Sequence, residues 1–224
     1  MRQLKNGKAA ILLRTKKRAL IYCVTFLATM GQLPTNAQSF GVALTGSALD
    51  FSGIYGSSSS INSSVISVPD VYPLTTAGER AYNSYDHVEA DRQNIDDCAV
   101  EAVPAILWQR LPVRFSQEDG NVTMHFERDD AVRTIHMDDS PPLEHQLHSE
   151  LGYARGRWVG SELMIETTHL VAGFVSNDGY PLSRDARLTE RYWRNPGQMD
   201  LQMELVVDDP INYTQPIMLS RVFD

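Results

Sequence analysis

The chain has 224 residues, 42% hydrophobic and 21% charged. Its charge is unevenly spread: seven basic residues and no acid lie in residues 1–37, whereas residues 38–224 hold 13 arginines, no lysine and 28 acids, a formal charge of −15. So acidic a surface repels phosphate and sets aside nucleic acid and anionic membranes as partners.

The first 18 residues carry Arg2, Lys5, Lys8, Arg14, Lys16, Lys17 and Arg18, followed by the apolar run Ala19–Met30 and the small-residue end Thr35-Asn-Ala37. Such a series predicts a secretory signal over residues 1–37, cut after Ala37. The competing reading is a retained anchor, which the run is too short to serve, since a spanning helix needs roughly 20 apolar residues. The expected mature protein is periplasmic or secreted, with no stable membrane insertion. Cys98 is then the one cysteine left, so the core must hold the fold without an internal disulfide. Asp96 and Asp97 beside it disfavour a reactive thiolate.

Residues 38–66 read as a first strand around Leu49–Tyr55 and a Ser-rich loop, and residues 67–224 as a single domain. Thr76-Ala-Gly-Glu79 has capping-box spacing, which predicts a short helix over Ala77–Tyr85. Strands follow. Pro112–Gln117 and Asn121–Glu127 flank Glu118-Asp-Gly120, a hairpin turn, and Ala131–Asp138 comes next. After a long connection through Pro141-Pro142 comes a central hairpin turning at Val159-Gly160-Ser161. Beyond it Leu163, Ile165 and Thr167 alternate with Met164, Glu166 and Thr168. Asn177-Asp-Gly179 is a further turn. Ala186–Trp193 and Met199–Asp208 pair around Asn195-Pro-Gly197, and Ile217–Phe223 ends the chain. The class is all-β: an antiparallel meander or lipocalin-like barrel with a short N-terminal helix, a two-sheet sandwich being the alternative.

Gly152–Thr168 resembles a pattern close to G-H-S-x-G-x-W-E-G-D-x-L-x-V-E-T-T found in a large group of exported bacterial proteins. Similar patches occur at Leu74–Gly78, Phe126–Asp138, Leu188–Arg191 and Asp209–Pro216. No activity is established for that group, so the resemblance implies fold and export only. Tyr153 stands where those sequences commonly have His, and Gly179-Tyr-Pro-Leu-Ser183 where they commonly read Gly-His-Pro-His-Ser.

An up-and-down barrel offers its mouth or interior to a small ligand. The leading expectation is therefore an exported protein that binds a small apolar or aromatic molecule near the central hairpin, through Arg157, Trp158, Arg191 and His125. Trp158 supplies a flat apolar face and the arginines a grip on a carboxylate. The alternative is a cofactor-independent isomerase, cyclase or hydrolase, with Tyr153, His136, Glu166 and Glu190 as acid and base. A second alternative is a structural envelope protein. No cofactor is expected, and His145, His148 and His169 form no compact metal-ligand set.

Overall fold

The structure, a computed structural model, describes residues 50–56, 67–86, 88–89, 99–118, 120–138 and 140–224. The expected signal segment, the Ser-rich loop and Cys98 lie outside the described residues. No helix among the described residues is long and apolar enough to cross a membrane.

The all-β expectation holds. Among the described residues eleven strands follow in chain order: β1 (Gly53–Tyr55), β2 (Val113–Glu118), β3 (Asn121–Phe126), β4 (Val132–His136), β5 (Tyr153–Val159), β6 (Glu162–Thr168), β7 (Gly173–Phe174), β8 (Pro181–Leu182), β9 (Arg187–Arg194), β10 (Leu201–Asp208) and β11 (Ile217–Phe223). Nine of them form one sheet, in the order β1-β2-β3-β4-β5-β6-β9-β10-β11, nearly closed into a barrel. The seam is made where β1 runs out. Gly56 N–H donates to Asp224 O at 2.6 Å and Asp224 N–H returns the bond at 3.4 Å, while Ser67 and Ser220 exchange two bonds of 3.0 Å.

One junction departs from the expected antiparallel meander: β4 and β5 run parallel through the pairs Ile135–Ala154 and His136–Arg155. Ring parity explains it. Nine strands cannot alternate direction all the way round a closed ring, so one neighbouring pair has to be parallel, and the long connection between β4 and β5 permits it. Gly156 makes this junction close. A Cβ there would stand 2.5 Å from Met137 Sδ and 2.6 Å from Ile135 Cγ2, so any side chain would force both neighbours to shift.

Alternation decides what fills the barrel. Val122, Met124 and Phe126 of β3, Leu163 and Ile165 of β6, and Leu201, Met203, Leu205 and Val207 of β10 all point inward and are buried. Met199, expected to start the last of these strands, lies outside it and is exposed. A 3₁₀ turn, Ala105–Trp108, plugs one end with Ile106 and Leu107. Arg221 from β11 holds that plug, donating from Nη1 to Leu107 O and lying 4.3 Å over the Phe223 ring.

Helix α1 spans Thr76–Asn83 and is capped by Thr75, one residue before the expected capping residue. Tertiary bonds select it: Thr75 Oγ1 accepts from Gly78 N–H at 3.0 Å and donates to Ile211 O at 2.6 Å, while Thr75 N–H donates to Asn212 O. The small hairpin β7–β8, which local pattern did not reveal, brings Tyr180 between Tyr82 and Tyr72, with ring centroids 4.6 Å and 3.6 Å away. The two departures from the Gly-His-Pro-His-Ser pattern thus fall in packed positions, Tyr180 in this stack and Leu182 in the core.

Candidate functional site

The register places the turns β2–β3, β5–β6 and β9–β10 at one end of the barrel, here called the mouth, and the 3₁₀ plug at the other. At the mouth, a cleft of about 430 Å³ is lined by Gln117, Val122, Met137 and Trp158 from inward-facing positions and by Glu118, Asn121 and Arg157 at the rim. Val159-Gly160-Ser161 turns as expected, with Gly160 at φ +64°. Trp158, half-buried, packs edge-on against Phe51 with ring centroids 5.1 Å apart. Its indole N–H has no hydrogen-bond partner among the described residues, and Arg157 is exposed with no ion pair among them. Arg194 closes the floor nearby, donating to Asp50 O at 2.9 Å and to the Tyr55 hydroxyl.

Below the mouth the barrel is filled by a buried polar network. Arg133, 1% exposed, donates from Nη1 to Glu190 Oε2 at 2.9 Å and from Nη2 to Glu190 Oε1 at 2.5 Å. Nη2 also reaches Thr167 Oγ1 at 2.6 Å, and the Tyr192 hydroxyl donates to Glu190 Oε2 at 2.9 Å. Burial opposes charge on Arg133, but the Glu190 carboxylate outweighs it and holds the guanidinium protonated. Burial, reinforced by Glu190, keeps the Tyr192 hydroxyl well above its ordinary pKa. Glu190, expected as a catalytic carboxylate, is therefore a core ion-pair partner, fully buried and bonded on both oxygens.

The remaining expected catalytic residues do not converge with it. Tyr153 and His136 stack on the outer face, centroids 4.7 Å apart, and the Tyr153 hydroxyl donates to Ser140 O at 3.2 Å. Glu166 sits between two arginines on the same face, 2.7 Å from Arg155 Nη2 and 2.9 Å from Arg187 Nη1. Hydrogen bonds from Arg187 and then Arg155 hold its carboxyl below the usual range, so it is an anion at neutral pH and a weak base. Arg191, expected at the ligand, instead grips Glu162 through two bonds of 2.7 and 2.6 Å and lies 4.3 Å over Trp193. His125 pairs with Asp130 at 2.6 Å. Of the expected ligand contacts, Arg157 and Trp158 share a cleft; His125 and Arg191 do not join them.

Carboxyls with depressed pKa values tie stability to pH. The contribution of Glu166 is complete above about pH 4.5, its ordinary value, and is lost as pH falls below that. Melting temperature should stay flat from pH 7 to about 5 and drop below about 4. Glu166→Gln should soften that drop; a drop of unchanged depth would mean that the two arginine contacts are not held in solution.

Gln117, Asn121 and Met137 were not foreseen at the site. The signal for Met137 was its parity with Arg133 and Ile135; nothing local marks the two amides. A larger cleft of about 570 Å³ lies at the plugged end, lined by Trp108, Leu111, Val68, Leu219 and Arg128 among others. Two of its polar groups are committed, since the Trp108 indole N–H donates to Val175 O at 3.0 Å and Arg128 Nε lies 3.3 Å from both Glu101 and Asp129, whereas the exposed Arg110 pairs with no described residue. No group of three or more His, Cys, Asp or Glu side chains among the described residues could hold a metal ion. Comparison of the chain with protein-family models, with curated proteins and with solved structures finds no match.

Proposed function

We propose that this is an exported protein that binds a small planar apolar molecule at the barrel mouth, the ring lying against Trp158, Val122 and Met137 and an acidic or acceptor group meeting Arg157. The observation that carries this reading is the pairing of a half-buried indole and a guanidinium, both without a hydrogen-bond partner among the described residues, in one cleft of about 430 Å³. That volume lies within the range of small-molecule sites. A filled interior favours the mouth over a deep calyx, because a ligand in the centre would have to displace the Arg133–Glu190 pair. An acid-base enzyme is less supported: the four residues it would use lie on two faces of the sheet.

Native mass spectrometry of the purified protein tests the reading. The expected spectrum shows an organic mass retained under native conditions, lost on denaturation and lost in Trp158→Ala. A bare protein mass in wild type and variant alike would count against it.

Export belongs to the same proposal. A basic start and short apolar core are read as a cleaved signal, so intact mass of the protein recovered from a bacterial host should begin at Gln38. Retention of Met1 on membrane-bound protein would favour the anchor reading instead.

A further inference from the structure

A second cleft, of about 420 Å³, lies on the outer face at the end away from the mouth, where β5 begins and β6 ends. Arg155, Arg184, Arg187, His148 and His169 line it. We propose that this cleft binds a small polyanion carrying phosphate or carboxylate groups, independently of any ligand at the mouth.

The donors exceed what the protein itself uses. Arg155 and Arg187 each give one Nη to Glu166, and their other guanidinium N–H groups have no protein acceptor among the described residues. Arg184 makes neither a hydrogen bond nor an ion pair with any described residue. His148 Nδ1 lies 2.6 Å from Leu170 O, a pure acceptor, so Nδ1 carries the ring proton; Nε2, without a partner among the described residues, donates to an anion only when it is protonated as well. His169 engages Thr168 Oγ1 through Nδ1 at 2.9 Å, and its Nε2 is likewise open. The two imidazoles stand 5.3 Å apart, centroid to centroid.

Charge makes the concentration of donors informative. Residues 38–224 hold 13 arginines against 28 acids, yet three of those arginines meet here. The opposing charges are Glu166, already bonded by two of them, and Asp185 at the cleft wall. Locally the balance is positive before either histidine is protonated. Forked guanidinium groups match the paired oxygens of carboxylate and phosphate, which a single chloride could not exploit. His169 adopts a left-handed backbone, φ +57°, in a residue type that enters that region at a cost. That conformation sets its ring beside His148.

Isothermal titration of the full protein with inorganic phosphate and, separately, with citrate tests the proposal and tells the two anion sources apart. At least one should bind saturably with 1:1 stoichiometry, and Arg184→Gln should weaken it about tenfold, the loss of one charge-assisted contact. Because Arg184 pairs with no described residue, the variant should keep the wild-type melting temperature. His148→Gln/His169→Gln provides a second variant with a smaller expected loss, because the neutral His148 ring presents a lone pair at Nε2 and burial disfavours charge on His169. Binding of 1-naphthoate at the mouth should be unchanged in both variants. Absence of saturable binding by either anion up to about 10 mM, a contact weaker than about 3 kcal/mol, would overturn the proposal. So would binding that both variants leave intact.

Discussion

Replacing Glu190 with Ala is expected to remove about 3–5 kcal/mol of folding stability, because it strands the Arg133 guanidinium without its counter-charge inside the barrel. Arg133 is 1% exposed and gives two bonds to Glu190, and its Nε already has no acceptor among the described residues. The Tyr192 hydroxyl also loses its acceptor in the variant. For a domain of this size the loss corresponds to a fall in melting temperature of roughly 6–20 °C. The double variant Arg133→Met/Glu190→Leu should recover most of it, since apolar side chains of similar size avoid the desolvation that the ion pair suffers. Urea denaturation of the three proteins reads both effects. A loss below about 1 kcal/mol in the single variant would mean that the pair is hydrated, and hence that the barrel admits water.

Trp158→Ala carries the largest expected effect on binding. A planar aromatic acid resting on the indole removes on the order of 100 Å² of apolar surface from water, about 2.5 kcal/mol at 25 cal/mol per Å². Affinity for 1-naphthoate should accordingly fall on the order of 50-fold. Some stability is lost with the Phe51 contact, so binding is to be compared under conditions where melting shows both proteins folded. Arg157→Gln supplies the control that leaves the core alone. It removes an exposed charge, so its effect should be smaller, about fivefold, and should vanish in high salt. Equal affinity in wild type and Trp158→Ala would remove Trp158 from the site.

Strands were readable because their environment is one-sided. Ile217–Phe223 matches its expected limits, and β10 buries Leu201, Met203, Leu205 and Val207 as period 2 requires. What alternation could not say is which polar residues go inside. In β9 the inward set is Leu188, Glu190 and Tyr192, while Trp193 faces out, the reverse of what polarity suggests. Glu190 is tolerable there because Arg133 meets it, and that partner lies 57 residues earlier on another strand. Ring closure was equally invisible to local pattern. The parallel β4–β5 pair follows from the number of strands in the ring, a property of the whole sheet. At the site, Trp158 and Arg157 were legible because the Gly-flanked hairpin carries both. Gln117, Asn121 and Met137 join them only through the pairing of β2, β3 and β4.

On the proposed reading, a planar ligand sits at the mouth against Trp158. The protein has three tryptophans, so its ¹H–¹⁵N spectrum should contain three indole signals, which Trp158→Phe and Trp108→Phe assign. Titration with 1-naphthoate should move the Trp158 indole signal in a saturable way and leave the Trp108 signal, at the plugged end, in place. A shift confined to Trp108, or three unmoved signals at saturating probe, would contradict the account.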